Sequence, residues 1–212
     1  IWQPRWVYVN TQRLQTLPNR EFLSGLGELI KTMWIAGESA MLQLRNCFDA
    51  RWYPHQVADA RWLEIIRLAV QTKAKVVSRD ALERGPRRVL NFGHTFGHLI
   101  EQAAHGEVTH GQAVGLGMVL ELKAMEQMGY RTESERLMQL LSELRVCRWM
   151  DAAWIPKLVS LLSADLGKDK KMEGSSLNLL VPLSPGAVTP ASEPPSQWVP
   201  AAIAAMRQLI GH

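Results

Sequence analysis

Apolar residues recur at helical spacing along most of the chain, which predicts a mainly α-helical fold. After a turn at Thr16–Glu21, the residues Phe22, Leu26, Ile30 and Met33 recur every three or four positions and predict the first helix. The same periodicity predicts further helices at residues 57–78, 94–104, 110–128, 133–145 and 151–163. A chain of 212 residues arranged in this way can bury a substantial core.

The few β signals lie towards the two ends of the chain. Trp6–Val9 looks like a short strand, and Leu177–Val181 looks like a second strand that ends in a turn at Ser184–Gly186. Six prolines in residues 182–200 argue against regular helix in that stretch. We therefore predict only a short terminal helix, at 199–209, and a small β element near the C-terminus of a mainly α fold.

Composition and charge narrow the classes of partner. A hydrophobic content of 47% and a charged content of 21% are typical of a soluble globular protein. The net charge is +4, but Lys and Arg are dispersed apart from Lys168, Lys170 and Lys171, which favours an anionic small molecule over nucleic acid. No apolar run approaches the length of a membrane span. Cys47 and Cys147 form no metal-ligand spacing, so we expect reduced thiols in a cytoplasmic protein.

The histidines form the strongest local signal for chemistry. Four of the six lie between residues 94 and 110. His94 and His98 stand four residues apart, so they share one face if this segment is helical. A catalytic zinc takes three protein ligands and keeps one position open, so two histidines need one further ligand, commonly a carboxylate. Spacing alone leaves two interpretations open: a metal site, or histidines that only cap and pack helices.

Several motifs together resemble the 3-dehydroquinate synthase family. Asn91–His98 is similar to the signature in which an asparagine, a glycine and two histidines hold these positions. His110–Val114, followed by Gly117 and Met118, resembles the second histidine motif of the family. Further segments that resemble the family, in its order and at its spacing, are Leu17–Glu21, Gly27–Lys31, Lys73–Ser78 with Arg87, and Asp169–Lys171. The resemblance extends from residue 2 to about residue 200.

The resemblance implies a two-domain enzyme of which this chain carries the helical half. Residues 11–212 would form the metal- and substrate-binding C-terminal domain of the dehydroquinate synthase-like fold. Residues 1–10 would be the end of an N-terminal Rossmann-like nucleotide-binding domain, which we expect to be absent from this chain. In keeping with that expectation, no glycine-rich phosphate loop stands between a strand and a helix in this sequence.

The family converts 3-deoxy-D-arabino-heptulosonate 7-phosphate to 3-dehydroquinate and phosphate, a phosphate-eliminating lyase step in aromatic amino acid biosynthesis by the shikimate pathway. The resemblance implies Zn²⁺ or Co²⁺ at Glu28, His94 and His110. It implies contacts to the anionic sugar-phosphate substrate by Lys31, Lys73, Arg87, Asn91, His98 and Lys170. Of these, Lys31, Asn91 and His98 would also act in catalysis. NAD⁺ would bind mostly in the missing domain, and the complete enzyme would be a homodimer that binds neither nucleic acid nor membrane.

Four positions depart from the family pattern. Lys75 and Gln112 stand where the family usually has glutamates, Thr109 replaces a usual apolar residue, and Pro86 stands where leucine is common. None of the four is an implied metal ligand, so the implied metal site is complete in this sequence. Lys75 lies two residues from an implied substrate contact and could alter the local charge.

Other functions remain open on the sequence. They are a related sugar phosphate cyclase, a metal-dependent polyol dehydrogenase, and an inactive remnant or interaction module. Polyol dehydrogenases resemble this chain around His110–Val114, so that motif does not discriminate between the families. Asn91 together with His98 does discriminate, and it favours dehydroquinate synthase.

Overall fold

Helices account for most of the fold, and one small antiparallel sheet completes it. The computed structural model describes residues 4–48, 60–147, 150–165, 172–173 and 176–210. The α-helices in these residues are α1 (Asn19–Ala36), α2 (Glu38–Cys47), α3 (Ala60–Arg79), α4 (His94–Ala103), α5 (His110–Gln127), α6 (Ser134–Glu143), α7 (Ile155–Asp165) and α8 (Pro195–Gln208). The strands are β1 (Met172–Glu173), β2 (Ser176–Ser184) and β3 (Ala187–Glu193), in the order β1-β2-β3. None of the described helices is both long and apolar enough to span a membrane.

The helix α5 lies at the centre of the molecule. Nearly all of its residues from Gly111 to Met125 are buried, and it packs against α1, α4, α6 and α8. A helix that is buried on all sides forms part of the core of a protein, and α5 buries even Glu121 and Lys123. Because His110 is the first residue of α5, this packing places it at the end of the buried helix, beside α1 and α4.

Glycines set the approach of α5 to its two main neighbours. A Cβ atom added to Gly27 of α1 would lie 2.1 Å from the carbonyl oxygen of Gly111. A Cβ atom added to Gly117 would lie 2.0 Å from the carbonyl oxygen of Gly93, the residue before α4. Any other residue at Gly27 or Gly117 would overlap the neighbouring backbone. We call these contacts the Gly27–Gly111 crossing and the Gly93–Gly117 crossing.

The sheet is attached to α1. Strands β2 and β3 form a hairpin around Gly186, whose φ of +79° favours glycine. The indole Nε1 of Trp34 donates a hydrogen bond of 2.8 Å to the carbonyl oxygen of Pro182. The N–H of Gly186 donates in turn to the carbonyl oxygen of Trp34, at 2.9 Å. The hairpin therefore holds the C-terminal half of α1 in place.

The predicted architecture is confirmed in its main lines. Strand β2 contains the predicted segment Leu177–Val181. Helices occur where the sequence predicted them, at 94–104, 110–128, 133–145 and 151–163, with ends that differ by a few residues at most. The helix predicted at 57–78 is observed as Ala60–Arg79, and residues 57–59 lie outside the described residues. Helix α2 and strand β3 were not predicted.

The segment Trp6–Val9, predicted to be a short strand, forms no strand in the described part of the chain. Its side chains are exposed, with Trp6 at 91% and Tyr8 at 89%, and no described residue pairs with this segment. A strand needs a neighbour that takes up its backbone hydrogen bonds. Propensity alone therefore does not produce a strand here.

The exclusion of helix between Pro182 and residue 199 was also wrong. Helix α8 begins at Pro195 and continues through Pro200. Pro195 is tolerated in the first turn of the helix because its missing N–H would have no helical partner there. Pro200 lies inside the helix, where its missing N–H removes one helical hydrogen bond. The proline-rich residues 182–200 therefore belong to two elements: the β2–β3 hairpin ends before Pro195, and helix α8 begins at Pro195.

Candidate metal centre

Glu28, His94 and His110 converge from three different helices. His94 and His110 are the first residues of α4 and α5, and Glu28 lies inside α1. Each of the three is the chain neighbour of a glycine at one of the two crossings, so the crossings bring their side chains together. One ligand atom from each lies within 4.8 Å of the others. The structure thus assembles the residues that the resemblance implied as ligands, and metal binding itself stays a prediction.

The two carboxylate oxygens of Glu28 have different surroundings. Oε2 accepts a hydrogen bond of 2.8 Å from Nζ of Lys31. Oε1 is buried without a hydrogen-bond partner among the described residues, yet it lies 3.5 Å from Nε2 of His94 and 3.7 Å from Nε2 of His110. A buried polar atom without a partner costs about 1–3 kcal/mol, whereas a cation at this point would contact all three atoms. The donor set therefore fits a divalent metal.

The other ring nitrogen of each histidine faces an oxygen acceptor. Nδ1 of His94 lies 3.3 Å from the carbonyl oxygen of Phe92. Nδ1 of His110 lies 3.1 Å from Oε2 of Glu101. A ring nitrogen that donates to such an acceptor carries the proton, which leaves the lone pair on Nε2. Both lone pairs can then serve a metal beside Glu28.

The charge states of the cluster also fit a metal site. Burial raises the pKa of the Glu28 carboxyl, but the Lys31 ammonium and the two imidazoles outweigh it, so that this pKa lies below its usual value. Burial, reinforced by the charge of Lys31, lowers the pKa of His94 to about 4. At neutral pH the cluster therefore contains a carboxylate and a neutral His94 imidazole, the forms that bind metal ions.

Some of the predicted substrate residues lie near this cluster. Lys31 is buried, and burial lowers its pKa, while the nearby charge of Lys73 lowers it further. His98 is exposed, and its ring centre lies 5.6 Å from that of His94 and 6.1 Å from that of His110. The structure thus places Lys31 and His98 at the cluster and Lys73 close enough to Lys31 to repel it.

Arg87 and Asn91 are joined through Glu83. Nδ2 of Asn91 donates 2.7 Å to Oε1 of Glu83, and Nε of Arg87 lies 3.9 Å from Oε2 of the same carboxylate. Nη1 of Arg87 also donates to the carbonyl oxygen of Ala81 at 2.8 Å. No hydrogen bond or ion pair found in the described residues connects these two side chains to the metal cluster. Lys170 lies outside the described residues.

Glu101 was not among the site residues predicted from the sequence. On α4, His94, His98 and Glu101 stand at positions i, i+4 and i+7 and share one helix face. Ligand atoms of His98, Glu101 and His110 also lie within 4.8 Å of one another. The spacing of seven residues between His94 and Glu101 could have identified it. A carboxylate at this spacing lies on the same helix face as His94 and His98, and it can reach the histidine of a neighbouring helix.

Two departures from the family pattern explain each other. Thr109 immediately precedes α5, and Gln112 is the third residue of that helix. The backbone N–H and the hydroxyl of Thr109 both donate to Oε1 of Gln112, at 3.0 Å each, and the Thr109 side chain faces the backbone N–H of Gln112, which completes a capping box. Pro86 similarly opens a 3-10 helix, where its missing N–H is tolerated. Lys75 is exposed on α3, and nothing in the structure explains it.

Solved structures with the same fold are sugar phosphate cyclases. A 2-deoxy-scyllo-inosose synthase complexed with carbaglucose-6-phosphate, NAD⁺ and Co²⁺ matches with a TM-score of 0.71 and 20% identity, over 96% of this chain and 56% of that chain. A 2-epi-5-epi-valiolone synthase from Streptomyces hygroscopicus, with NAD⁺ and Zn²⁺ bound, matches with a TM-score of 0.73 and 21% identity, over 94% of this chain and 54% of that chain. These likenesses establish the fold.

Sequence comparison gives the family. Residues 25–172 match the family model described as 3-dehydroquinate synthase C-terminal. A 3-dehydroquinate synthase from Prochlorococcus marinus is 35% identical over 88% of this chain and 50% of its own length. One from Acidithiobacillus ferrooxidans is 35% identical over 96% of this chain and 54% of its own length. The chain spans about half the length of these relatives. It belongs to the 3-dehydroquinate synthase family, within which it corresponds to the C-terminal domain.

Proposed function

We propose that this chain is the metal- and substrate-binding half of a 3-dehydroquinate synthase, which releases phosphate from 3-deoxy-D-arabino-heptulosonate 7-phosphate and forms 3-dehydroquinate. The observation that carries the proposal is the cluster of Glu28, His94 and His110, with one buried carboxylate oxygen facing two imidazole nitrogens. Membership of the family supports the choice of reaction over other reactions at a similar metal site.

Glu28 Oε1, His94 Nε2 and His110 Nε2 would hold Zn²⁺ or Co²⁺. Three protein ligands leave a coordination position for the substrate, as in other catalytic zinc sites. A divalent metal in this position would supply Lewis acidity to the substrate hydroxyl oxygens. Lys31 holds the second oxygen of Glu28 and so fixes the orientation of the carboxylate.

The cationic residues of the chain would bind the two anionic groups of the substrate. Lys31 and Lys73 place positive charge beside the cluster, and an electropositive cleft draws in an anionic ligand. Arg87 presents a planar guanidinium that suits a carboxylate, whereas Lys170 would contribute a point charge to phosphate. Asn91 would orient a substrate oxygen by hydrogen bonding. His98 is exposed beside the cluster and would hold a proton near the leaving phosphate.

The described residues contain no unit of the kind that binds a dinucleotide. Their strands form one antiparallel sheet, and the sequence contains no glycine-rich turn between a strand and a helix. We therefore assign no NAD⁺ chemistry to the residues of this chain. The two cyclases that share the fold were solved with NAD⁺, which supports binding of NAD⁺ by another part of a longer protein.

The test is to complete the chain and assay it with two substrates. The chain would be joined to the N-terminal half of the Prochlorococcus marinus relative, and phosphate release would be followed with the heptulosonate phosphate and with glucose 6-phosphate. We expect phosphate release, with formation of 3-dehydroquinate, from the heptulosonate phosphate only. Turnover of glucose 6-phosphate alone would assign the chain to a different sugar phosphate cyclase.

A further inference from the structure

His110 is the most exposed of the three candidate metal ligands. Its side chain is 45% exposed, compared with 17% for His94. His94 is held by burial and by the carbonyl oxygen of Phe92. His110 stands at the start of α5, where burial does not restrict its ring. Its shortest polar contact is the 3.1 Å between its Nδ1 and Oε2 of Glu101 on α4.

We propose that Glu101 is a positioning residue that sets the tautomer and the ring orientation of His110. The carboxylate accepts the Nδ1–H hydrogen bond, so the imidazole keeps its proton on Nδ1 and presents the Nε2 lone pair to Glu28. This inference rests on the proposed function, because the metal site that it refines is the one proposed above. Glu101 contacts neither the metal position nor substrate, and acts through His110.

The geometry gives Glu101 two effects on the site. A carboxylate that accepts from one ring nitrogen raises the basicity of the other and so strengthens it as a ligand. The hydrogen bond also joins α4 to the first residue of α5. Because the Glu101 side chain is itself only 32% exposed, its hydrogen bond to His110 is partly shielded from water.

The structure offers one competing role for Glu101. Its carboxylate, His98 and His110 could together hold a cation of their own, since their ligand atoms also lie within 4.8 Å of one another. Two features favour the positioning role. His98 and His110 are both exposed, whereas Glu28 Oε1 in the first group is buried and lacks a hydrogen-bond partner among the described residues. In addition, a cation bound to Nδ1 of His110 would replace the Nδ1–H group, so the hydrogen bond to Glu101 would be lost.

The test uses the 212-residue chain with three substitutions. Glu101→Gln keeps an oxygen acceptor, and Glu101→Leu removes it. Glu107→Leu is the matched control, because Glu107 is an exposed glutamate in the turn between α4 and α5 and its loss changes the net charge equally. The first measurement is the ¹⁵N chemical shift of the His110 ring nitrogens in the metal-free protein, which reports the tautomer. The second is Zn²⁺ affinity by competition with a chelator.

We expect the original chain and Glu107→Leu to keep the Nδ1–H tautomer and the same Zn²⁺ affinity. Glu101→Gln should keep the tautomer but bind Zn²⁺ somewhat more weakly, because it accepts the hydrogen bond without the negative charge. Glu101→Leu should shift His110 towards Nε2–H and bind Zn²⁺ roughly 10–100-fold more weakly, the usual effect of removing such a partner. An unchanged tautomer and affinity in Glu101→Leu would overturn the inference. A second Zn²⁺ per chain that disappears with Glu101 would also overturn it, because Glu101 would then be a ligand.

The two proposals fail in different ways. If the original chain binds no Zn²⁺ while His110 keeps an Nδ1–H tautomer that depends on Glu101, the metal-binding part of the proposed function is wrong and the positioning contact stands. If Zn²⁺ binds tightly whatever residue occupies position 101, the metal site stands and the positioning role is wrong.

Discussion

At the scale of single residues, the candidate centre depends on a difference between the contacts of the two carboxylate oxygens of Glu28. Lys31 occupies Oε2 of Glu28, while Oε1 is left facing two imidazoles. A second lysine at Oε1 would satisfy the carboxylate without a metal. The three side chains instead leave one shared position, and each is needed to complete it.

The first prediction is that His110→Ala abolishes stoichiometric zinc in the purified chain. Two remaining ligands hold zinc much more weakly than three. His105→Asn is the matched control, because His105 is exposed nearby at a φ of +47°, which asparagine tolerates. Metal content would be measured by mass spectrometry after exhaustive dialysis. Full zinc content in His110→Ala would remove this histidine from the proposed ligand set.

The second prediction concerns Cys147. Burial raises the pKa of this thiol to about 12, so the folded chain keeps it neutral where the unfolded chain ionises it. The stabilisation is complete below the unfolded pKa near 9 and is lost as pH rises towards 12. Between pH 8 and pH 10 the free energy of unfolding should fall by about 1.4 kcal/mol more in the original chain than in Cys147→Ala. Urea unfolding at both pH values measures this, and parallel losses in the two proteins would contradict it.

At the scale of secondary-structure elements, glycines and caps decide where the helices meet. The Gly27–Gly111 crossing and the Gly93–Gly117 crossing fix α5 against α1 and α4, and the capping box of Thr109 and Gln112 fixes the point where α5 begins. A helix that began one residue earlier or later would turn His110 by about 100° around the helix axis, since an α-helix has 3.6 residues per turn. The element ends are therefore part of the site.

The third prediction compares two glycines of α1. Gly27→Ala should destabilise the chain by about 1–3 kcal/mol, the usual cost of overpacking, and should weaken zinc binding because α1 must move away from α5. Gly25→Ala is the matched control: no atom lies within 4 Å of its added Cβ, and alanine should stabilise the helix by up to ~1 kcal/mol. Urea unfolding and zinc affinity of both variants test this. Equal behaviour of the two variants would mean that the crossing does not set the site.

The fourth prediction concerns the capping box. Thr109→Ala should cost about 0.5–2 kcal/mol of stability, as other cap substitutions do. Gln112→Ala should also destabilise, but the double variant should lose less than the sum of the two, by about 0.5 kcal/mol or more, because the residues form one unit. Urea unfolding of the four proteins completes the cycle. Strict additivity would show that the two departures from the family pattern are independent.

Sequence periodicity predicted most helices because each has one apolar face or is apolar throughout. It missed α2 because α2 follows α1 after a single residue, Gly37 at a φ of +109°, so the two helices appear as one apolar stretch. It proposed a strand at Trp6–Val9 from propensity, which cannot supply a pairing partner. The spacing of His94 and His98 suggested a metal pair, yet the imidazole that faces Glu28 beside His94 comes from His110. Contacts between helices depend on where glycines let backbones approach, and a periodic pattern does not contain that information.

At the scale of the whole molecule, the chain contains a cluster of candidate metal ligands and candidate substrate cations but no glycine-rich nucleotide-binding turn in its sequence. The relatives that it matches are about twice as long. Hydride transfer requires the nicotinamide ring to be held next to the reacting carbon, and such positioning accounts for roughly 7–11 kcal/mol of a barrier. We therefore expect one domain to bind the metal and the substrate and another domain to bind NAD⁺.

The fifth prediction is that the 212-residue chain alone binds zinc but neither binds NAD⁺ tightly nor releases phosphate from substrate. Supplying the N-terminal half of a relative, covalently or in trans, should give turnover. Isothermal titration calorimetry with NAD⁺ and a phosphate assay with added cofactor make the measurement. Micromolar NAD⁺ binding by the chain alone, or phosphate release by it, would contradict the prediction that NAD⁺ binding requires a second domain.

The hydrogen bond from Gly111 N–H to Ser24 Oγ joins positions 87 residues apart in the sequence. Closing so long a segment is an entropic cost that local contacts cannot offset early in folding. We expect the metal position to appear only in the last, cooperative stage of folding, after α1 has docked on α5. A metal that binds only the folded form then acts as a thermodynamic clamp, worth about 2.7 kcal/mol at a free concentration 100 times its Kd. Metal supply in the cell would thus change the stability of this domain as well as the occupancy of its site.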